Sequence, residues 1–254
     1  MPRWLHHYGP KKYELLHHLT ALLVKHYCRL SYRRVKRFLD LLGLLCPTKS
    51  SLQRTAAKLD SMFWNQVLKA TTPNPYLIAL DSTGFSKSNP SYHYLKRIDG
   101  KMPKIPIKLN VAYDTRRKKF CSAKARVLPA HDIKDAEFLI KNNKSKIVVA
   151  DKGYNSEKLY EKAFYQETLL MIPKKKNMKR GFFRRKMHKK FNLRTYHRRE
   201  LVEAGFSSIK RTQGSSVSSK KARTIRSELL GRLACQNIFS LLFRTFGTEP
   251  LFLT

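Results

Sequence analysis

The chain has 254 residues with 53 Lys and Arg against 17 Asp and Glu, a formal net charge of +36 at pH 7. Hydrophobic residues make up 42% of it, enough to bury a core, so a wholly disordered basic tail is excluded. So much positive charge on one folded chain repels itself unless a polyanion neutralises it, and nucleic acid is the first partner to consider.

Cys28, Cys46, Cys121 and Cys235 are far apart and form no CxxC pair, so neither a disulfide framework nor a zinc ribbon is indicated. A reducing, cytoplasmic setting fits that usage. The basic N-terminus lacks an uninterrupted apolar run and a small-residue cleavage site, so no signal peptide is read. The apolar stretch at 229–243 contains Arg232, Gln236 and Asn237 and falls short of the roughly 20 residues that span a bilayer. No membrane partner is expected.

Residues 1–72 read as helical, with apolar side chains at helical spacing through Tyr13, Leu16, Leu19, Leu22 and Leu23. A helix over 32–42 is followed by a break at 43–47. Ser50-Ser51-Leu52-Gln53 then forms a capping-box pattern that opens a helix to about residue 59. Helix, turn and capped helix over 32–60, carrying Gln53, Arg54 and Lys58, is the outline of a helix-turn-helix DNA reader. It is equally the outline of two packed helices in a small bundle. The histidine pairs His6-His7 and His17-His18 lack metal spacing and read as solvent-facing.

Pro73-Asn74-Pro75 ends this region, and 73–246 changes to an α/β pattern. Strands are expected at 76–80, 104–113, 120–127, 146–150 and 168–172, with helices at 132–140 and 156–164. Asp132 is placed to cap the first of those helices, beside a surface His131. Lys152 reads as a surface residue. Tyr92, Tyr94 and Arg97 read as loop packing or as the lining of a DNA groove. The basic stretch 174–194 reads as a loop or mobile arm. Helices over 193–210 and 225–243 follow, and 247–254 is a short tail.

Two carboxylates stand out. Asp81 follows Leu-Ile-Ala-Leu and Asp151 follows Ile-Val-Val-Ala, so each ends an apolar strand, where ligand sites of open α/β sheets lie. A turn or cap explains either one alone, since Asp81-Ser-Thr-Gly and Asp151-Lys-Gly both look like tight turns. The same arrangement twice tilts the balance towards a metal site. A third acid, Glu203, sits with Tyr196, Arg199 and Lys210 at offsets of three, four and seven residues, which fall within about a 60° stripe of a helix. The plain alternative is an ordinary i,i+4 surface pair of Arg199 with Glu203.

Taken together, Tyr196-x-x-Arg199-x-x-x-Glu203-x-x-x-x-x-x-Lys210 resembles the Y-R-E-K signature of prokaryotic insertion-sequence DDE transposases. Asp81-Ser-Thr-Gly and Asp151-Lys-Gly-Tyr154 resemble the two aspartate motifs of that family. The resemblance covers about 76–245. It implies a ribonuclease-H-like mixed sheet flanked by helices over 73–246, with an all-helical DNA-binding region at 1–72. Larger relatives insert a β-rich domain where this chain has only the basic arm 174–194. The resemblance further implies that Asp81, Asp151 and Glu203 are catalytic and bind two Mg²⁺ or Mn²⁺ ions, hard cations suited to carboxylate oxygens. Tyr196, Arg199 and Lys210 would contact DNA, and the partners would be the element's inverted repeats, target duplex and a second copy in a homodimeric synaptic complex. Two rivals are a non-catalytic DNA-binding remnant and a structure-selective nuclease of the same fold; the intact acids argue against decay.

At +36, affinity for duplex DNA is expected to fall steeply with salt, at about −0.9 in log–log slope per phosphate contact. A titration over salt concentration that returned a slope near zero would remove the electrostatic part of this reading.

Overall fold

The structure, a computed structural model, describes residues 3–4, 11–87, 107–128, 130–174 and 180–246. Tyr92, Tyr94, Arg97, the pair His6-His7 and the tail 247–254 lie outside these. Four helices come first: α1 (Leu15–Tyr27), α2 (Tyr32–Leu41), α3 (Lys49–Lys58) and α4 (Ser61–Thr71). Each of the last three starts on a side-chain cap. Ser31 accepts from the Arg34 N–H, Thr48 from Ser51 and Asp60 from Phe63, satisfying donors that the first helical turn leaves open. The third helix is therefore capped by Thr48, two residues before the expected Ser50.

The α/β part runs β1 (Leu77–Lys87), β2 (Ile107–Asp114), β3 (Lys119–Arg126), α5 (Ile133–Asn142), β4 (Ile147–Ala150), α6 (Glu157–Tyr165) and β5 (Leu169–Met171). Then come α7 (Phe182–His188), α8 (Leu193–His197), α9 (Leu201–Gln213), β6 (Ser216–Val217) and α10 (Ala222–Phe246). The sheet order is β3-β2-β1-β4-β5, with β6 pairing the far end of β1. Strand β2 runs antiparallel to both β1 and β3, while β4 and β5 run parallel to β1. This is a ribonuclease-H-like mixed sheet with helices on both faces.

Alternation along β1 sorts its side chains between two cores. Leu77, Ala79 and Phe85 join a cluster with Trp64, Leu68, Leu229, Leu230 and Leu233, whereas Ile78 and Leu80 pack with Leu139, Ile140, Leu159 and Tyr160. The N-terminal helices share the first core, because α1, α3 and α4 all pack on α10. Trp64 donates its indole N–H to Ser227 Oγ at 2.9 Å across that junction. A Cβ on Gly231 would lie 3.2 Å from both His26 and Trp64, so a glycine in α10 permits the close crossing.

Several expectations change. The Asp81-Ser-Thr-Gly segment is not a turn: β1 continues to Lys87, paired throughout with β2 from Phe85↔Ile107 to Ile78↔Asp114. The basic stretch is not simply an arm, since 182–188 is helical. The Glu157 carboxylate accepts from the Phe183 N–H at 2.8 Å and pairs with Arg184 at 3.7 Å, while Met187 is buried in the second core. The expected helix over 193–210 is interrupted by a 3₁₀ turn at Arg198–Glu200. Asp132 precedes α5 in helical rather than extended conformation and caps nothing; its carboxylate pairs with Lys108 at 2.6 Å. His18 is buried, 2.8 Å from Thr55 Oγ1. Lys152 is exposed, as expected.

The free edge of the sheet is closed by asparagines. Asn65 both donates to the Ala123 carbonyl and accepts from its N–H, and Asn237 does the same for Phe120 at 2.7 and 3.0 Å. Each amide takes the place of a neighbouring strand's peptide group. Asn237→Ala leaves the buried Phe120 N–H unpaired and its carbonyl with only a 3.4 Å bond from Thr72 Oγ1, and is expected to cost about 1–3 kcal/mol. Chemical denaturation checks this, and a loss under about 0.5 kcal/mol would mean that water replaces the amide.

Candidate active site

The β1–β4 register decides the first two acids. Leu80 lies beside Ala150 in parallel pairing, so the residues that follow, Asp81 within β1 and Asp151 just past the end of β4, stand at the same level. Asp81 continues the alternation of Leu77 and Ala79 and faces the α9 side of the sheet, where α9 packs on β1. Asp151 lies in extended conformation just before a 3₁₀ turn at Lys152–Tyr154 and is exposed.

Glu203 belongs to the first turn of α9. Its helix lies very close to the sheet, because a Cβ on Gly205 would fall 2.9 Å from the Tyr113 ring and 3.2 Å from Phe120. Arg199, on the 3₁₀ turn, reaches from this helix to the strand. It donates to Asp81 Oδ2 at 3.1 Å and lies 3.5 Å from Glu203 Oε1. The i,i+4 pair of Arg199 with Glu203 is therefore real, and it is also half of a bridge.

Burial pushes the Asp81 carboxyl above its ordinary value; the Ser82 N–H and Arg199 oppose the rise, while Glu203 and Asp151 add to it. Asp81 thus feels both of the other acids. Burial works against the Arg199 charge, but Asp81, Tyr196 and Glu203 outweigh it and raise its pKa. Among the described residues, no three His, Cys, Asp or Glu side chains come close enough to share one ion. The donor chemistry nonetheless suits a hard divalent cation: all three acids offer oxygen donors, and Asp81 carries an ionisation penalty that positive charge would relieve.

The remaining expected residues fall in two places. Tyr196 lies on α8, and its phenol oxygen is close enough to favour the Arg199 charge, so it adjoins the Arg199 bridge. Lys210 is two turns further along α9, its ammonium 5.4 Å from the centroid of Phe85 on β1. Gln53, Arg54 and Lys58 are exposed on α3, opposite the buried Leu52, Thr55 and Ala56. They belong to the N-terminal helices rather than to this cluster. Two contributions were not foreseen: Arg199 as the tie between Asp81 and Glu203, and Gly205 as the residue that sets helix height. An isolated glycine in a helical pattern, costing about 1 kcal/mol against alanine, was the available signal for the second.

A family profile described as a transposase DDE domain matches residues 72–238, and the chain belongs to that family. Curated proteins include no match to it. DDE transposases act on DNA and use divalent metals. Among the described residues, no helix is long and apolar enough to cross a membrane.

Gly205→Ala tests the positioning. Overpacking against Tyr113 costs about 1–3 kcal/mol and the gain in helix propensity returns about 0.5–1. A net loss of about 1–2 kcal/mol is expected, together with a drop in DNA cleavage at temperatures where the variant stays folded. Wild-type cleavage by a destabilised variant would mean that the height of α9 does not matter.

Proposed function

We propose that this transposase binds the ends of its insertion sequence, cleaves them and transfers the strands into target DNA, with Asp81, Asp151 and Glu203 as the catalytic acids. The observation that carries this is the pairing of Leu80 with Ala150, which sets two acids side by side, combined with Arg199 tying Glu203 to one of them. In this reading the three carboxylates hold Mg²⁺ or Mn²⁺, two ions, which when bound supply Lewis-acid polarisation of phosphate oxygens. Asp81 is half-buried and braced by the Ser82 N–H, so its position is the most fixed of the three. Asp151 and Glu203 are exposed and open to an incoming phosphodiester. The nucleophile is water for cleavage and a freed 3′-hydroxyl for joining, so no covalent protein–DNA intermediate is required.

Tyr196, Arg199 and Lys210 contribute DNA contacts beside the scissile phosphate, Arg199 exchanging a carboxylate for a phosphate oxygen. The Y-R-E-K set is thus read as one functional group. Gln53, Arg54 and Lys58, exposed on a capped helix, are the proposed end-recognition residues of the region 1–72, which precedes a catalytic region over 73–246. A homodimer would pair two ends.

Asp81→Asn, Asp151→Asn and Glu203→Gln test the assignment. Each should abolish metal-dependent cleavage and joining of end-containing DNA while leaving DNA binding intact. Asp81 titrates above its ordinary value, so its ionised form lowers stability, fully at neutral pH and not at all below about pH 3.9, where it is protonated folded or unfolded. In chelator at pH 7, Asp81→Asn should therefore melt at the parental temperature or higher, with the difference vanishing at low pH. Joining at the parental rate by Glu203→Gln would remove that residue from the site. Cleavage without joining by the parent would favour a nuclease.

A further inference from the structure

A second concentration of charge lies away from the acids, where α1, the end of α9 and the start of α10 enclose a cavity of about 230 Å³. Its walls include Lys25, His26, Arg29, Gln213, Glu228 and Arg232. Glu228 and Arg232 are committed to each other at 2.6 Å. Arg232 also donates to the Gly214 and Ser216 carbonyls, and Glu228 accepts from the Ser218 and Ser219 N–H groups. That pair is neutral and saturated. Burial, reinforced by the Lys25 charge, holds His26 well below the usual histidine range, so at pH 7 it is uncharged.

Lys25 is held less directly. It is 7% exposed, and its ammonium lies 4.8 Å over the Tyr32 ring, but among the described residues no hydrogen bond or ion pair in contact distance holds it. Burial lowers its pKa and the Glu228 carboxylate opposes that, so Lys25 and Arg232, two buried cations, share one anion. Arg29 stands on the same wall with its Nε on the Thr212 carbonyl at 2.8 Å and Nη2 on that of Arg211. Gln213 is 2% exposed, donates through Nε2 to the Arg232 carbonyl, and has a buried Oε1 with no donor. The cavity thus lacks two things, a second negative charge to balance Lys25 and Arg232 together, and a proton donor for Gln213.

A hydrogen phosphate carries both, and at about 30 Å³ per water the cavity has room for one with some hydration. We propose that this cavity is a phosphate site, taking a tetrahedral oxyanion that bears an O–H, with Lys25 as its cation and Gln213 as the acceptor of its proton. Two sources share that chemistry, free inorganic phosphate and a terminal phosphate monoester on a DNA end. A phosphodiester and sulfate lack the O–H. The site lies ten residues along α9 from Glu203, about 15 Å by helical rise, and its assignment does not depend on the role given to the acids.

The test is thermal unfolding of the full chain at matched ionic strength in phosphate, sulfate and chloride, without metal. Phosphate should raise the melting temperature saturably by about 2 °C or more over chloride, and sulfate should raise it less. Lys25→Met should lose the phosphate effect while melting no lower than the parent in chloride, since one of two buried cations sharing a single carboxylate is removed and Glu228 keeps Arg232. Gln213→Leu, which keeps Lys25, should erase the preference for phosphate over sulfate, and it serves also if Lys25→Met does not fold. A 5′-phosphorylated oligonucleotide is then compared with its 5′-hydroxyl form. A difference that Lys25→Met removes identifies the source as a DNA end, and no difference beside a phosphate effect identifies the free ion. If phosphate stabilises the parent no more than chloride does, the proposal is overturned, whatever the enzyme does to DNA.

Discussion

Like charges on a strand and on the helix packed over it repel each other, and Arg199 is the cation that lets Asp81 and Glu203 face each other across this gap. Its guanidinium spans the gap between strand and helix, touching Asp81 and Glu203 at once. Two side chains of one sign gain little by approaching each other across a partly buried gap, so without such a tie α9 would have an electrostatic reason to stand off. The same bridge makes the site sensitive to its cation content. Anything positive that settles among the acids competes with Arg199, and a released Arg199 is a free guanidinium beside the place where a phosphodiester would lie.

Packing fixes what charge alone would leave loose. Gly205 brings α9 to within side-chain contact of Tyr113 and Phe120, two rings whose own centroids are 4.9 Å apart. On the far side of that core, Gly231 lets α1 and α4 press onto α10. The two glycines do the same thing for two helices, trading about 1 kcal/mol of helix propensity for a crossing that a methyl group would obstruct. In between, Asn65 and Asn237 close the edge of β3 with side-chain amides, which protects a strand that would otherwise offer open peptide groups to another chain.

Much of this was legible in the sequence, for identifiable reasons. Apolar runs before Asp81 and Asp151 marked buried strands, and offsets of three, four and seven residues marked a helical stripe. What the sequence concealed depends on contacts between distant segments. Asp81-Ser-Thr-Gly has turn composition, yet β2 pairs with it for its whole length and overrides that preference. The stretch at 182–188 looks like a solvated basic run, but its helix is tied down by Glu157, 26 residues upstream of the Phe183 it caps. His18 looked like a surface histidine until Thr55, 37 residues away, supplied its partner.

The consequence reaches α9, because that helix is held from both ends by residues outside it. At its start Arg199 links Glu203 to the sheet, in its middle Gly205 rests on Tyr113, and at its end Arg29 of the α1–α2 turn takes the Arg211 and Thr212 carbonyls. Arg29 adopts a left-handed backbone, φ 52, which a non-glycine residue occupies at a cost of order 1 kcal/mol. The surrounding structure therefore over-determines that conformation, and what it secures is a cap on the helix bearing Glu203. Displacing α1 would remove the cap and leave the last carbonyls of α9 unpaired. The N-terminal helices are consequently part of what sets the position of Glu203, so in the proposed function DNA bound on α3 and chemistry at the acids would act on one connected body.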